Sequence, residues 1–218
     1  MGNNGGRWML NLGLLLIAAA LYLSIYNLNE ARQASRSAVD VIGQLSQTLP
    51  TAPEEPEAAE AGTGEPEEAE ESQEVELPEY LRDPDREMPA KTVNGQEYIG
   101  VLEIPALELE LPIISQWSYP RLRIAPCRYS GSVYSGDLII AAHNYSTHFG
   151  RLKTLAQGER VLFTDMEGTV FTYQVAALET LQPMATEEME SGDWDLTLFT
   201  CTVGGQSRVT VRCVLEKD

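Results

Sequence analysis

The chain has 218 residues, 43% of them apolar and 22% charged, with 17 Gly and 12 Pro. That length and composition fit one globular domain with appendages and exclude collagen, a pure coiled coil and a wholly disordered protein. Fifteen Lys and Arg stand against 33 Asp and Glu, a net charge of −18, which argues against nucleic-acid binding, because phosphate recognition rests on clustered cations.

The acid is unevenly placed. Residues 1–89 hold 17 acids and 5 bases, and residues 90–218 hold 16 and 10, so most of the excess precedes the part that reads as folded. From Trp8 to Asn29 no side chain is charged. As a helix this stretch spans roughly 33 Å at about 1.5 Å per residue, enough to cross a bilayer core. It predicts an N-terminal anchor over residues 1–29. A cleaved signal peptide is the alternative, with Ala18, Ala19 and Ala20 as small residues for a peptidase. The apolar run continues through Leu21, Tyr22, Leu23, Ile25 and Tyr26, which favours the anchor. Arg7 on one side and Arg32 and Arg36 on the other leave its orientation open.

Residues 30–49 keep a helical period, with Leu28, Ala31, Ser35, Ala38, Ile42, Leu45 and Leu49 near heptad spacing. A helical stalk extending the anchor is expected, with a weak dimer seam as the alternative. Residues 50–89 then turn to Pro, Glu, Ala, Gly and Ser, with twelve Glu from Glu54 to Glu79. Such a segment has too little apolar surface to offset chain entropy, so it reads as a disordered, self-repelling tether. An acidic interaction tail or calcium sponge is the functional alternative.

Residues 90–218 read as one all-β domain. Short β-rich runs recur at Tyr98–Ile104, Leu107–Ile114, Asp137–His143, Arg160–Asp165, Thr169–Leu181, Leu196–Cys201 and Arg208–Leu215, punctuated by Pro105, Gly136, Gly158, Gly168 and the Gly204-Gly205 pair. Seven or eight strands in about 120 residues predict a barrel or sandwich. Only Tyr119–Ala125 and Thr147–Leu155 look helical.

The most informative passage is Asp195–Leu215. A Gly-Gly pair between two β runs predicts a two-residue hairpin turn, since both central positions need positive φ. With Gly204 and Gly205 there, Thr202 faces Ser207 and Cys201 faces Arg208. Directly opposed residues share a face, so a thiol lies beside a permanent cation that favours the thiolate and can hold an oxyanion. Cys213 then faces Leu196 on the other surface, which forbids a Cys201–Cys213 disulfide. With Cys127, the cysteines number three, so at least one thiol is free. Arg212 shares the face of Arg208 and takes its place if the turn slips by two.

The two histidines are His143 and His148. His143 ends the apolar run of residues 137–143 and is the better general acid toward a departing amine, whereas His148 sits at a helix start. No metal-ligand spacing and no phosphate loop is present, and no cofactor is expected.

Thr197–Cys201, "TLFTC", resembles the sortase signature T-L-x-T-C, with Arg208 opening the next strand as the family's arginine does. Ile139–Thr164 is similar to the sortase histidine segment, and Ala125–Ser132 also looks familial. The resemblance covers residues 97–215. It implies a closed eight-stranded sortase β-barrel with one or two short helices behind a membrane anchor. It further implies an extracytoplasmic, plasma-membrane cysteine transpeptidase of Gram-positive-type bacteria. Cys201 would attack a sorting signal of the Leu-Pro-x-Thr-Gly kind to form a thioester, and an amine from a cell-wall precursor or pilin lysine would resolve it. His143 and Arg208 match the family's catalytic histidine and arginine, and Thr200 the residue beside the nucleophile, with a hydrogen-bonding or substrate-contact role. The histidine segment leans toward class B. Ala142 stands where a Gly is common, and the loop Thr202–Ser207 is short for the family. Glu187, Glu188 and Glu190 could bind calcium, as some sortases do before the nucleophile strand. A tethered peptidase that hydrolyses its thioester, and a non-catalytic surface binding barrel, are the competing readings.

Overall fold

The computed structural model describes residues 4–47 and 83–216. Most of the expected acidic tether, residues 50–82, lies outside the described residues.

Nine strands follow a long helix: α1 Asn4–Ser46, β1 Lys91–Val93, β2 Gln96–Ile104, β3 Leu109–Ile114, α2 Tyr119–Leu122, β4 Cys127–Ser130, β5 Leu138–Ala142, β6 Arg160–Asp165, β7 Val170–Leu181, α3 Thr186–Glu190, β8 Leu196–Cys201 and β9 Arg208–Leu215. The strand order is β1-β2-β3-β4-β5-β8-β9-β7-β6, and β6 pairs back onto β2. Strands β2 to β9 therefore close an eight-stranded barrel, and β1 is an extra strand on β2. Pairing is antiparallel except for β3–β4 and β5–β8.

Alternation along the strands separates two apolar layers, as the period of two requires. Leu102, Ile104, Leu138, Ile140, Phe163, Tyr173, Leu196, Leu198, Val211 and Cys213 fill the interior. Tyr98, Val101, Ile114, Cys127 and Ala141 point outward into a second cluster.

The end of α1 covers that second cluster. Ala38, Val41 and Leu45 are buried, and Val41 and Leu45 pack with Tyr98, Val101 and Ile114. The spacing that reads as a stalk is thus, at its C-terminal end, a docking face. Asn94 also donates to Asp40 at 3.5 Å. Toward the other end, Trp8–Tyr26 is exposed, with a mean hydropathy of 2.0 over 19 residues, long and apolar enough to cross a membrane.

Several expected boundaries shift. The helices shorten to Tyr119–Leu122 and to a 3-10 turn at Phe149–Thr154. Strands β1 and β4 carry too few residues to show a pattern, although Asn94-Gly95, with φ of 52° and 77°, is the strongest short hairpin signal in the chain.

The loop after β5 is folded tightly on itself. Phe149 N–H donates to the His143 carbonyl at 3.2 Å and Gly150 N–H to Tyr145 at 2.9 Å. A Cβ at Gly150 would lie 2.4 Å from the Asn144 carbonyl oxygen, so only glycine fits. His148 is fully buried, and among the described residues neither of its ring nitrogens has a hydrogen-bond partner. Burial, then the charge of His143, pushes its pKa down to about 4.

Two outcomes follow from this packing. Leu45→Ala removes a side chain only 1% exposed and should cost about 2–4 kcal/mol, read as a lower unfolding midpoint of the full-length protein in detergent. An unchanged midpoint would mean that the helix end does not hold the barrel. For His148, an unfolded imidazole titrates near 6.5 and the native one near 4, so the unfolded chain takes up the proton first as pH falls. Stability present at neutral pH should decline from about pH 6.5 to about pH 4, by on the order of 3 kcal/mol from this group. His148→Leu should flatten that slope in thermal unfolding; an equally steep variant would contradict the burial of a neutral imidazole.

Candidate active site

The strand pairings set Cys201 against Arg208 and bring the end of β5, which His143 follows, alongside the end of β8. Cys201 pairs with Arg208 across β8–β9, in a register that runs back unbroken to Leu196 opposite Cys213. Thr202 N–H donates to the Ser207 carbonyl at 2.9 Å, which makes Cys201/Arg208 a narrow, non-hydrogen-bonded couple, with its side chains at their closest.

The turn itself differs from the two-residue form expected at Gly204-Gly205. Gly205 N–H donates to the Thr202 carbonyl at 2.8 Å, so Val203 and Gly204 are the central residues, and Gly204 at φ 85° occupies the left-handed position such a turn requires. With the Thr202 carbonyl committed there, its Oγ1 accepts the Ser207 N–H at 3.1 Å instead. The Thr202 side chain thereby completes the ladder and holds the register at the mouth of the hairpin. Sequence reasoning missed this residue; a threonine immediately before a Gly-containing turn is the local signal that could have shown it.

Histidine 143 arrives from the other side. Strand β5 runs parallel to β8, with Ala141 opposite Phe199 and Ala142 opposite Thr200. One step beyond the last couple come His143, just past the end of β5, and Cys201, the last residue of β8. Cys201 shares the outer face of its strand with Phe199, while Ala142 lines the interior. His143 is half-buried, and its ring lies 5.0 Å from that of Tyr145. Tyr145 in turn lies 5.5 Å from His148, and is a ring contact that strand patterns do not reveal.

Thr200 is only 3% exposed, and its Oγ1 donates to the Ala142 carbonyl at 2.8 Å. Of the two roles expected of it, hydrogen bonding or substrate contact, this is a hydrogen bond, and it ties β8 to the end of β5, next to both His143 and Cys201 in the chain.

The Arg208 guanidinium donates through Nη1 to the Ser207 and Gly205 carbonyls at 3.3 and 3.5 Å. Its Nε and Nη2 have no hydrogen-bond partner among the described residues, so most of the fork is available to a ligand. Arg212 has a different task. It is 2% exposed and donates to the Met189 carbonyl at 2.7 Å, to Thr197 Oγ1 at 3.1 Å and to the Glu188 carbonyl, with Glu179 3.7 Å from its Nε. It fastens α3 to the barrel wall. Glu187, Glu188 and Glu190 belong to that helix, and no cluster suited to a metal ion occurs among the described residues.

The three thiols are free but unlike. Cys127 and Cys213 are fully buried, and burial pushes each thiol up to about 12, where the thiolate is negligible at neutral pH. Cys201 is half-buried at the end of its strand. The ends of β5 and β8 and the start of β9 therefore carry one accessible thiol, one imidazole and one guanidinium, groups capable of nucleophilic acyl transfer.

Comparison with known proteins agrees with this geometry. The sortase domain family model matches residues 102–216. Sortase A of Bacillus anthracis is 26% identical over 121 residues, which cover 53% of this chain and 57% of that protein; the chain thus spans little more than half of that relative's length. Sortase A from Corynebacterium diphtheriae, in a lid mutant, superposes with a TM-score of 0.53 at 19% identity, covering 64% of this chain and 91% of that one. Sortase C1 from Streptococcus agalactiae gives 0.51 at 25% identity, covering 58% and 72%. These relatives are named as classes A and C, and none lends support to the class B lean. A family match over more than half of the residues, on a closed barrel whose strand register pairs Cys201 with Arg208, establishes that the chain belongs to the sortase family.

Proposed function

We propose that this barrel is a cysteine transpeptidase that cleaves a sorting signal of the Leu-Pro-x-Thr-Gly kind and passes the acyl group to an amine. The observation that carries this reading is the Cys201/Arg208 couple with His143 one strand away. The Cys201 thiolate attacks the scissile carbonyl carbon, and the oxyanion that forms is held by the free N–H groups of Arg208, a charge-assisted contact that strengthens as charge develops. The imidazolium of His143 gives its proton to the departing amine, leaving a thioester on Cys201. In the second half-reaction neutral His143 takes a proton from the incoming amine, whose nitrogen attacks the thioester carbonyl and expels the Cys201 thiolate. Thr200 and Thr202 position these groups without touching the reacting atoms. No cofactor enters either step.

In this proposal residues 1–29 anchor the enzyme in the plasma membrane with the barrel outside the cell, residues 30–49 carry it, residues 50–89 are the acidic connection, and residues 90–218 are catalytic. The acyl donors are secreted proteins bearing the sorting signal, and the acceptor is a peptidoglycan precursor or a pilin lysine. Hydrolysis is the second reading, favoured by the exposed Cys201–Arg208 loop, where Val203 is 93% exposed.

The thiol chemistry gives the test. Cys201→Ala should abolish the covalent peptidyl adduct seen by mass spectrometry with a Leu-Pro-x-Thr-Gly peptide, whereas Cys127→Ala and Cys213→Ala retain it. Arg208→Met should lower kcat/KM by about 10²–10³-fold, the usual effect of losing one oxyanion donor. An adduct on the Cys201 variant would refute the nucleophile, and products limited to the free acid in the presence of an added amine would assign a hydrolase.

A further inference from the structure

Between Glu110 and Asp137 the chain has no acidic residue, and this stretch contains Arg121, Arg123 and Arg128. In a molecule of net charge −18, that is a local reversal of sign. Among the described residues none of the three makes an ion pair. Arg121 donates to the Gln116 carbonyl at 3.3 Å and Arg128 through Nε to the Ser115 carbonyl at 2.8 Å. The latter bond fixes the guanidinium plane of Arg128 and leaves both Nη groups without a hydrogen-bond partner among the described residues.

Arg128 and, through its bond to Gln116, Arg121 edge an aromatic surface. Trp117 stacks on Tyr129 at 5.7 Å, Tyr129 meets Phe199 edge-on at 5.4 Å, and Tyr119 meets Trp117 at 5.7 Å. Trp117 is 41% and Tyr119 75% exposed. Trp117, Tyr129, Arg128 and Ser130 line an open cavity of about 450 Å³, within the size range of ligand sites. Phe199 lies two residues before Cys201 on the same face of β8. Two residues of strand and two ring-to-ring steps put the cavity on the order of 18 Å from the sulfur, the reach of about five extended residues.

We propose that this cavity is a specificity subsite for an acidic side chain of the peptide substrate, lying within about five residues of the scissile bond. The inference rests on the transpeptidase reading for its substrate class. The Nη pair of Arg128 matches a carboxylate bidentately, Arg121 and Arg123 add an attractive field, and the Trp117–Tyr129 stack supplies an apolar wall for the neighbouring residue of the peptide. The guanidinium is held in a concavity and joined by a row of rings to the nucleophile's strand, which suits an extended peptide better than a flat anionic membrane.

The test uses full-length protein in detergent micelles and fluorescein-labelled Leu-Pro-x-Thr-Gly peptides extended by four residues at each end, with Glu, Gln or Lys placed at each position in turn. By fluorescence anisotropy, Glu at one position should bind at least tenfold more tightly than Lys there, with Gln between. Arg128→Met should erase the Glu advantage over Gln, and Trp117→Ala should weaken all peptides about equally. Equal affinity for Glu, Gln and Lys at every position, absence of measurable binding, or a Glu preference that survives Arg128→Met would overturn the proposal. So would unchanged peptide preference in Arg128→Met accompanied by lost binding to phosphatidylglycerol vesicles, which would assign the patch to the membrane. Turnover of the same peptides is scored separately: binding without any thioester would sink the transpeptidase and leave the subsite standing.

Discussion

Strand β8 has two neighbours, and the site exists only while both pairings keep register. The antiparallel pairing with β9 sets Cys201 against Arg208, and the parallel pairing with β5 sets the residue after Ala142 beside the residue after Thr200. A slip of one residue would turn every side chain of the moving strand to the opposite face. Leu196, Leu198, Val211 and Cys213, all fully buried, would then leave the interior, at about 1.5–3 kcal/mol for each large apolar side chain. The interior packing thus enforces the geometry of a site on the exterior, and the chemistry inherits its precision from the core.

Around this fixed centre the polar groups divide the labour. Thr200 and Thr202, on either side of Cys201, spend their hydroxyls on a backbone carbonyl and a backbone N–H. The two arginines of β9 show how burial decides a role. Arg212 is enclosed and its donors are consumed in holding α3, while Arg208, at the open end, keeps donors for a ligand. The outer face of the same sheet is shared between the α1 end and the aromatic row, with Val41 and Leu45 in the same apolar cluster that Tyr129 and Phe199 pack against.

The chemistry-bearing hairpin was legible in the sequence because a strand's period is short and the turn signal is strong. The pairing of Cys201 with Arg208 needed only the position of the diglycine, and it survives a turn of another type because Thr202 supplies its hydroxyl where the ladder loses a carbonyl. The choice of His143 over His148 came from its place at the end of an apolar run and then from resemblance, whereas the parallel pairing that brings the end of β5 to β8 joins strands more than fifty residues apart and was not legible from periodicity. The docking of α1 was hidden for another reason: Ala38, Ile42 and Leu45 present the same spacing whether the partner is a second helix or a sheet. The burial of His148 and the short strand β4 are consequences of tertiary packing that overrides weak local signals.

The claim at the centre of this account is the pairing of residues 201 and 208, and a disulfide trap measures it directly. A narrow antiparallel couple has Cα atoms about 4.5 Å apart, within the span of a disulfide. Under mild oxidation of the full-length protein, Arg208→Cys should link to Cys201 and protect it from alkylation, whereas Val209→Cys, whose side chain belongs to the other face, should leave Cys201 reactive. A bond to residue 209 in preference to 208, or a freely alkylated Cys201 in both variants, would contradict the register on which the proposed chemistry depends.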